Sequence, residues 1–424
     1  MNLDLPPLEV AGRLDRLRAV VADHADAIVI SDLTSIRWCT GFTGSNALLV
    51  VTNDDSTLIT DGRYRVQAPE ELAAALSNTI VAIAVQPIDA AIVALGSVKM
   101  VALEADVLTW AEQQLWENTA QIELVPTQDL IRELRAIKDG AELARIERAA
   151  AIVDASLAEL ESLLIPGTTE REMAHALERS MRTGGATGPA YETIVASGPN
   201  GALPHARPTD RPFADGDLVV IDAGSVVDGY RSDMTRTFAI GTPGKDVCRI
   251  RDIVMEAQAA GVAAVRPGIE AKEIDHVCRS IIADAGYGDA FSHGTGHGVG
   301  LDIHELPAVH ARSTAILQPG HVITVEPGIY VPALGGCRVE DSVVVTETGC
   351  RPLTNSPKPT CGPESHVHHH YQRSQERDDP RSRRWVVPSC RLPAREAGQG
   401  SRLRSHQSSQ RPRWRHRRAH LPFG

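Results

Sequence analysis

The chain has 424 residues, which is long enough for two domains with substantial hydrophobic cores. Hydrophobic residues make up 42% of it, yet no uncharged run reaches the roughly 18 residues that a membrane-spanning helix needs. The net charge of −11 is unevenly divided, because residues 356–424 hold 15 Lys/Arg and 5 Asp/Glu, a net +10, which leaves −21 for residues 1–355. A body this acidic argues against nucleic acid as its partner.

The cysteines and the amino-terminal residues indicate the cellular compartment in which the protein is expected. Seven cysteines are scattered along the chain and never form a CxxC pair. The first residues, Met-Asn-Leu-Asp-Leu-Pro-Pro, lack the basic start and apolar stretch of a secretory signal. Together these features predict reduced thiols in a cytoplasmic protein that is not attached to a membrane.

Residues 1–130 alternate helical and strand patterns. A helical stripe over 14–21 precedes a short buried strand at Ala27–Ile30, and the apolar runs 47–51 and 57–60 predict a hairpin. A strand pattern at 101–103 followed by a helical pattern at 110–116 repeats the order of strand and helix. This region is therefore predicted to be a small α/β domain.

The second domain is predicted for residues 131–355. Asp139 and Glu142 form a capping-box pattern, which predicts the start of a long helix running through Leu164. Further on, Thr169 and the Glu three residues later predict the cap of another helix.

An internal repeat runs through this second domain. Pro166-Gly-Thr-Thr-Glu-Arg-Glu-Met-Ala-His aligns with Pro267-Gly-Ile-Glu-Ala-Lys-Glu-Ile-Asp-His at a shift of 101 residues, and the strand pattern 215–222 echoes 318–326. Each half thus consists of helices followed by strands that end in an acidic residue. Two such halves predict a pseudo-twofold α+β domain with a curved antiparallel sheet around a central site.

A predicted hairpin lies at the centre of this domain. Two strand patterns flank Asp228-Gly229, which is a strong two-residue turn signal. With that turn, Asp222 lies opposite Thr235, and the carboxylates of Asp222 and Asp233 leave the same face of the sheet. Two uncompensated acids side by side repel each other, which favours a divalent metal ion between them. Thr235 either orients the Asp222 carboxylate or packs as an ordinary strand residue.

Further candidate metal ligands follow later in the sequence. His297 lies in a glycine-rich loop, Glu326 ends a strand, and a last strand predicted over 336–345 carries Arg338 and Glu340 on one face. One histidine and four carboxylates form an oxygen-rich donor set without thiolates. Such a set suits two hard divalent ions, Mn²⁺ more than Zn²⁺.

The pattern ends after residue 355. Residues 356–424 contain the run His366-Val-His-His-His and many Arg-Ser and Arg-Pro pairs, with neither helical nor strand periodicity. This segment is predicted to be a low-complexity, basic, disordered tail, and a shifted reading frame is one hypothesis for its origin.

The donor order Asp, Asp, His, Glu, Glu, together with its flanking motifs, resembles the dinuclear metallopeptidases of the pita-bread fold, peptidase family M24. Within that family it is most similar to the Xaa-Pro dipeptidase and aminopeptidase P branch. Residues 1–130 resemble the family's creatinase-like amino-terminal domain more loosely, through Gly41-Phe-Thr-Gly-Ser-Asn and Thr60-Asp-Gly-Arg-Tyr. The stretches that carry the main resemblance are Tyr191-Glu-Thr-Ile-Val-Ala-Ser-Gly, Pro204-His-Ala-Arg-Pro, Ser232-Asp-Met-Thr-Arg-Thr, His293-Gly-Thr-Gly-His-Gly-Val-Gly and Val325-Glu-Pro-Gly-Ile-Tyr.

The resemblance implies a role for each of the five donors. Asp222 is expected to chelate one ion, His297 and Glu326 the other, and Asp233 and Glu340 to bridge the two. It further implies hydrolysis of the bond before proline, at the N-terminus of dipeptides or short peptides, by a hydroxide that bridges the ions.

The resemblance also implies a set of substrate-binding and proton-handling residues. His205, His293 and His304 match histidines that bind substrate and move or stabilise protons, and Arg338 matches an arginine beside the metal site. Mn²⁺ is the expected metal, with Co²⁺ or Zn²⁺ as alternatives, and a homodimer is expected.

Three other functions stay open at this point. A methionine aminopeptidase shares the ligands but does not usually carry the amino-terminal domain. A creatinase-like amidinohydrolase shares both domains but works without the metal set. A non-enzymatic peptide-binding protein on the same fold is expected to lose ligands, whereas this sequence retains all five.

Overall fold

The computed structural model describes residues 5–332 and 334–361. Within them, the apolar segments of the amino-terminal part form a six-stranded sheet with the order β4-β3-β2-β1-β5-β6, in which β1–β2 and β2–β3 are antiparallel pairs and the others are parallel. The strands are β1 (Ala27–Ile30), β2 (Ala47–Thr52), β3 (Ser56–Thr60), β4 (Ile80–Ile83), β5 (Met100–Glu104) and β6 (Glu123–Thr127). The helices are α1 (Arg13–Val21), α2 (Leu33–Thr40), α3 (Gln67–Ala74), α4 (Pro87–Leu95), α5 (Trp110–Thr119) and α6 (Leu130–Ala136).

Both faces of this sheet are buried. Ile28 and Ile30 of β1 join one hydrophobic cluster, and Ala27 and Val29 join another, because successive strand residues point to opposite faces. The buried strand and the hairpin predicted from the sequence are confirmed, with β2 and β3 pairing across a short turn. The prediction of an α/β domain in this region is correct.

The second part of the chain contains long helices packed against short, mostly antiparallel strands. Its helices are α7 (Gly140–Glu159), α8 (Glu170–Thr183), α9 (Lys245–Ala264) and α10 (Ala271–Asp284). Its strands are β7 (Gly188–Pro189), β8 (Ile194–Ser197), β9 (Leu218–Asp222), β10 (Ser225–Val227), β11 (Tyr230–Arg231), β12 (Thr235–Ala239), β13 (Gly296–Gly298), β14 (Glu305–Val309), β15 (Val322–Val325), β16 (Gly328–Val331), β17 (Gly335–Arg338), β18 (Asp341–Val345) and β19 (Cys350–Pro352).

The internal repeat is visible in the helices. The bounds of α8 and α10 differ by the predicted 101 residues at both ends, and α7 and α9 are each 20 residues long. Gly185 and Gly286, which the repeat aligns, both have left-handed φ angles, 106° and 92°, after the ends of their helices. Equivalent helix pairs therefore lie in the two halves, as a pseudo-twofold domain requires.

The central hairpin has the predicted register. Asp228 and Gly229 have φ angles of 45° and 77°, which is the left-handed conformation that a two-residue type I′ turn needs. Asp222 pairs with Thr235, and β9 lies between β8 and β12. The turn chemistry alone thus predicts the pairing of the two strands.

The strands of the two halves meet beside this hairpin. The Glu340 amide donates to the Thr235 carbonyl at 3.1 Å, and the Thr237 hydroxyl donates to the Arg338 carbonyl at 2.7 Å. These bonds connect β12 with the end of β17 and with Glu340, and so join the strands of the two halves at the centre of the domain. The predicted fold class is confirmed.

Two predicted elements differ from the structure. The strand predicted over 336–345 is two strands, because β17 pairs with β16 while β18 pairs with β15, and Val339 and Glu340 belong to neither. The helix predicted to run through Leu164 ends at Glu159 and is followed by a 3₁₀ turn at Glu161–Leu163. In both cases residues with the composition of the predicted helix or strand continue beyond the point where the element ends in the structure.

The last described residues are anchored to the second domain. Ser356 donates through its amide and hydroxyl to Asp154, both at 2.8 Å, and Lys358 donates to Gln258 at 2.9 Å and pairs with Asp341. The predicted boundary at 355 is thus followed by two residues, Ser356 and Lys358, that contact the domain. The prediction of a disordered tail lies outside the described residues from 362 onward. No helix in the described part of the chain is both long and apolar enough to cross a membrane.

His321 precedes β15 and is expected to make the fold sensitive to acid. Burial, with a contribution from Lys138, lowers the pKa of His321 from 6.5 to about 4. Between these values the unfolded chain binds the proton and the folded chain does not, so stability falls as the pH falls through this window. We expect His321→Asn, which retains an acceptor for the Gln318 amide, to lose about 1 to 2 kcal/mol less stability between pH 7 and pH 5 than the unmodified protein. Urea unfolding of both proteins at the two pH values measures this; equal losses would contradict it.

Candidate metal centre

The hairpin brings two carboxylates together. Asp222 is the last residue of β9, and Asp233 lies two residues before β12, the strand that pairs with β9. The Tyr191 hydroxyl lies within hydrogen-bonding distance of Oδ1 of both carboxylates, so the two acids face the same side, as the predicted register requires. Tyr191 was not among the predicted site residues.

His297 approaches the same point from β13. Its Nδ1 donates to the Gly298 carbonyl at 3.0 Å, which leaves Nε2 directed at Asp233 Oδ2, 3.5 Å away, and at Glu326 Oε1, 3.4 Å away. A backbone carbonyl on one ring nitrogen is the arrangement that presents the other nitrogen as a metal ligand. Gly296 allows this approach, because a Cβ there would lie 2.0 Å from the Thr324 carbonyl.

Glu340 completes the group and carries an unpaired atom. Its Oε2 accepts the Thr235 hydroxyl at 2.8 Å, whereas its Oε1 is buried and has no hydrogen-bond partner in the described part of the chain. One ligand atom each from Asp233, His297 and Glu340 lie within 4.8 Å of one another. A buried carboxylate oxygen without a donor is costly in a folded protein unless a cation satisfies it.

The electrostatics of the site also favour cations. Burial, together with the neighbouring carboxylates, raises the pKa of Asp233 and Glu340 well above the usual range, and burial likewise raises the pKa of Glu326. Three of the four carboxylates, those of Asp233, Glu326 and Glu340, thus lie where burial disfavours their ionised forms. The residues fit a pair of hard divalent ions, since carboxylate oxygens and one imidazole are their preferred donors.

Arg338 holds Asp222 and the residues around it in place through hydrogen bonds. Its side chain is almost fully buried, and Nη2 donates to Asp222 Oδ2 at 2.6 Å while Nε donates to the Thr235 hydroxyl at 3.0 Å. Nη1 donates to the Tyr330 hydroxyl at 2.8 Å and to the Pro204 carbonyl at 3.1 Å. Four of the five N–H groups of this guanidinium are therefore engaged in positioning the site.

The three predicted histidines surround the metal ligands. His293 donates from Nδ1 to the Gly294 carbonyl at 2.7 Å and accepts the Tyr330 hydroxyl at Nε2 at 2.8 Å, and burial together with Arg338 lowers its pKa to about 4. The ring of His304 meets that of His297 edge-on, with centroids 4.4 Å apart, and burial also lowers the pKa of His304. His205 enters the same cleft from a loop.

All nine predicted site residues line a single cleft of about 530 Å³. They come from both halves of the repeat and are separated by as many as 135 positions in the sequence, from His205 to Glu340. Their convergence is what a dinuclear hydrolase requires.

Comparison with known proteins agrees with this interpretation. Residues 144–347 match the family described as "Metallopeptidase family M24", and residues 13–137 match the one described as "Creatinase/Prolidase N-terminal domain". An uncharacterized peptidase of Bacillus subtilis is 39% identical over 348 residues, which cover 82% of this chain and 98% of that protein.

The chain belongs to metallopeptidase family M24.

Solved structures of the same family have closely similar folds. A structure described as Xaa-Pro dipeptidase from Bacillus anthracis aligns with a TM-score of 0.80 and 36% identity, covering 83% of this chain and 99% of that one. An X-Pro aminopeptidase from Thermotoga maritima aligns with a TM-score of 0.74 and 34% identity, covering 82% and 99%. The M24 chain is thus a metal-dependent dipeptidase or aminopeptidase, and the non-enzymatic alternative is set aside.

Contacts with the amino-terminal sheet domain position the loop that carries His304 in this peptidase. Arg135 is buried and donates to Asp302 Oδ2 at 2.6 Å as well as to Glu305, and Lys138 donates to Glu305 Oε2 at 2.9 Å. Burial alone would raise the pKa of Glu305, but Lys138 and Arg135 lower it to about 2. Thr34 of α2 adds a hydrogen bond to Asp302 at 3.2 Å. Buried ion pairs thus hold the loop on both sides of His304.

Several residues in contact with the M24 site were not found by sequence reasoning. Tyr191 and Tyr330 contact Asp222 and His293 respectively, and the Thr324 hydroxyl lies between the His297 amide and Glu326. Tyr191 stands at the start of a stretch that carried the family resemblance, which was the one available signal for it. Thr235 was predicted opposite Asp222, but its hydroxyl contacts Glu340 and Arg338 instead of the Asp222 carboxylate.

Proposed function

We propose that this peptidase hydrolyses the Xaa-Pro bond at the N-terminus of dipeptides or short peptides. The observation that carries the proposal is the convergence of four carboxylates, four histidines and Arg338 in one cleft. The names of two similar structures, an Xaa-Pro dipeptidase and an X-Pro aminopeptidase, support the preference for proline in the second position. Because one name is that of a dipeptidase and the other that of an aminopeptidase, the length of the preferred substrate, dipeptide or longer peptide, stays open.

The proposed ligand assignment follows the order of the acids in space. Asp222 would hold one ion, His297 and Glu326 would hold the other, and Asp233 and Glu340 would supply a ligand to each of the two. The position of Asp233 supports this, because it shares Tyr191 with Asp222 on one side and lies 3.5 Å from His297 Nε2 on the other. When bound, such ions lower the pKa of a water molecule and polarise the carbonyl that is attacked.

The protein groups around the ligands have separate proposed tasks. His304, beside His297 and with a lowered pKa, is neutral near pH 7 and is placed to hydrogen-bond the substrate and to move a proton. His205 lines the same cleft from another loop, and we assign it the task of hydrogen-bonding the substrate. His293 has both ring nitrogens engaged, so it acts on substrate only by exchanging its bond to the Tyr330 hydroxyl. Arg338 orients the Asp222 carboxylate through its hydrogen bond.

Three further assignments complete the proposal. Mn²⁺ is the proposed metal, because one imidazole and four carboxylates form a hard donor set, with Co²⁺ and Zn²⁺ as alternatives. A cytoplasmic location is proposed from cysteines that are scattered and never spaced as CxxC. A homodimer is proposed from the resemblance to the family.

The test is metal-dependent hydrolysis of defined peptides. We expect the protein supplied with Mn²⁺ to release proline from Ala-Pro or Ala from Ala-Pro-Ala, and to lose this activity after chelation with verified metal removal. Restored turnover on adding Mn²⁺ back is the control for damage by the chelator. Activity undiminished in metal-free protein would contradict the proposal, and cleavage of Met-Ala-Ser in preference to both proline peptides would favour a methionine aminopeptidase instead.

A further inference from the structure

Two arginines contribute permanent positive charge to the described lining of the cleft, Arg207 and Arg338. The guanidinium group of Arg338 is almost fully buried and has all three nitrogens bonded to protein groups. Four of its five N–H groups are used in these bonds, and its burial leaves the group nearly inaccessible to a substrate. Among the arginines of the described lining, Arg207 is therefore the accessible one that a negatively charged group on a bound peptide can reach.

Arg207 lies at the mouth of the cleft beside one acidic residue. Its Nε is 3.2 Å from Glu192 Oε2, and the two side chains are 81% and 62% exposed. Both residues are adjacent to site residues in the sequence, since Glu192 follows Tyr191 and Arg207 comes two positions after His205. An exposed ion pair of this kind is weak, so a competing carboxylate displaces Glu192 at little cost.

The chemistry of an Xaa-Pro dipeptide requires such a group. Its carboxylate belongs to the proline that leaves, about one residue or roughly 3.5 Å beyond the scissile bond. A guanidinium group matches a carboxylate with paired hydrogen bonds, which neutral cleft residues do not offer. In a tripeptide the carboxylate lies one residue further away, and the proline is followed by a neutral amide.

We propose that Arg207 binds the carboxylate of the carboxyl-terminal proline and that Glu192 pairs with Arg207 when the cleft is empty. This inference rests on the proposed Xaa-Pro specificity and extends it, because it makes the enzyme prefer dipeptides to longer or carboxyl-amidated substrates. Glu192 weakens the binding of the dipeptide by competing for Arg207. Arg207 is thus a specificity-determining residue that contacts the substrate at the end opposite to its amino group.

The experiment compares Ala-Pro with its carboxyl amide, Ala-Pro-NH₂, in the Mn²⁺-loaded enzyme. We expect Arg207→Gln to raise KM for Ala-Pro about 10-fold or more while the metal content stays unchanged, so that the preference for Ala-Pro over the amide largely disappears. Glu192→Gln is expected to lower KM for Ala-Pro about 1.5- to 5-fold, since it removes the competitor. Arg171→Gln is the matched control, because Arg171 forms a similar exposed pair with Asp210 away from the cleft.

A binding measurement separates this inference from the proposed function. Calorimetric titration with L-proline and L-prolinamide tests the carboxylate contact without turnover, and a preference for proline that Arg207→Gln removes supports the inference even if neither peptide is cleaved. Absence of cleavage of any proline peptide contradicts the proposed function alone. If Arg207→Gln affects Ala-Pro and Ala-Pro-NH₂ equally, or leaves proline binding unchanged, the assignment of Arg207 is wrong.

Discussion

Replacement of Asp233 by Asn is expected to abolish both metal binding and peptidase activity. The carboxylate lies between Asp222 and His297, so its loss leaves both proposed ions short of a ligand. We expect kcat/KM for a proline peptide to fall about 10³-fold or more, which corresponds to the several kcal/mol that a metal Lewis acid supplies. Elemental analysis of the purified variant, alongside turnover, is the measurement.

The same substitution has a second, opposite consequence for the metal-free protein. Burial and the neighbouring carboxylates raise the pKa of Asp233, so a neutral amide of the same shape relieves repulsion that the unmodified protein retains. The melting temperature of chelated Asp233→Asn is therefore expected to equal or exceed that of the chelated unmodified protein, while added Mn²⁺ no longer raises it. Asp210→Asn, on the exposed surface, is the control. A variant that keeps its full metal content and rate would show that Asp233 is not a ligand.

His304→Ala is expected to retain both ions and to lose most of the rate. The ring of His304 is adjacent to His297 but lies outside the group of Asp233, His297 and Glu340, so its removal takes away a hydrogen bond or a proton transfer and not a ligand. Such groups typically contribute roughly 10²- to 10⁴-fold to the rate. We expect a loss within this range, mainly in kcat, with metal content measured in parallel.

A surface histidine provides the control for this variant. His276 lies on the exposed side of α10 and contacts Ser280, so His276→Ala is expected to leave kcat and metal content unchanged. Loss of bound metal from His304→Ala would instead make His304 a ligand. An unchanged rate with metal retained would remove it from the proton-handling group.

Local sequence patterns predicted much of the fold. The capping boxes at Asp139 and Thr169 begin α7 and α8 as expected, because a cap is satisfied by atoms a few residues away. The Asp228-Gly229 turn aligned Asp222 with Thr235 for the same reason. Predictions that depended on where a distant partner ends were less accurate, as the division of the 336–345 segment into β17 and β18 shows.

The residues of the candidate site likewise differ in whether a local sequence pattern could predict them. Its acids and His297 could be predicted because strand ends, turn signals and glycine-rich loops are visible in the sequence. Tyr191, Tyr330 and Thr324 reach the site through contacts whose partners are not marked by any local pattern. The sequence left open whether Thr235 orients Asp222 or packs as an ordinary strand residue, because the register identifies only the residue opposite. In the structure its hydroxyl donates to Glu340, from a distant part of the chain.

The sequence by itself determined the helices with their caps, the register of the central hairpin and the types of ligand available, since each depends on backbone conformation and hydrogen bonds within a short stretch. Only the tertiary structure decided that, within the described residues, Glu340 has a buried oxygen without a donor, that Arg338 is buried with four of its five N–H groups bonded to protein atoms, and that Arg207 is exposed beside the cleft. These properties depend on which groups from distant parts of the chain share one buried volume. Desolvation and charge pairing act through space, and their balance exists only after the two halves of the domain have closed around the site.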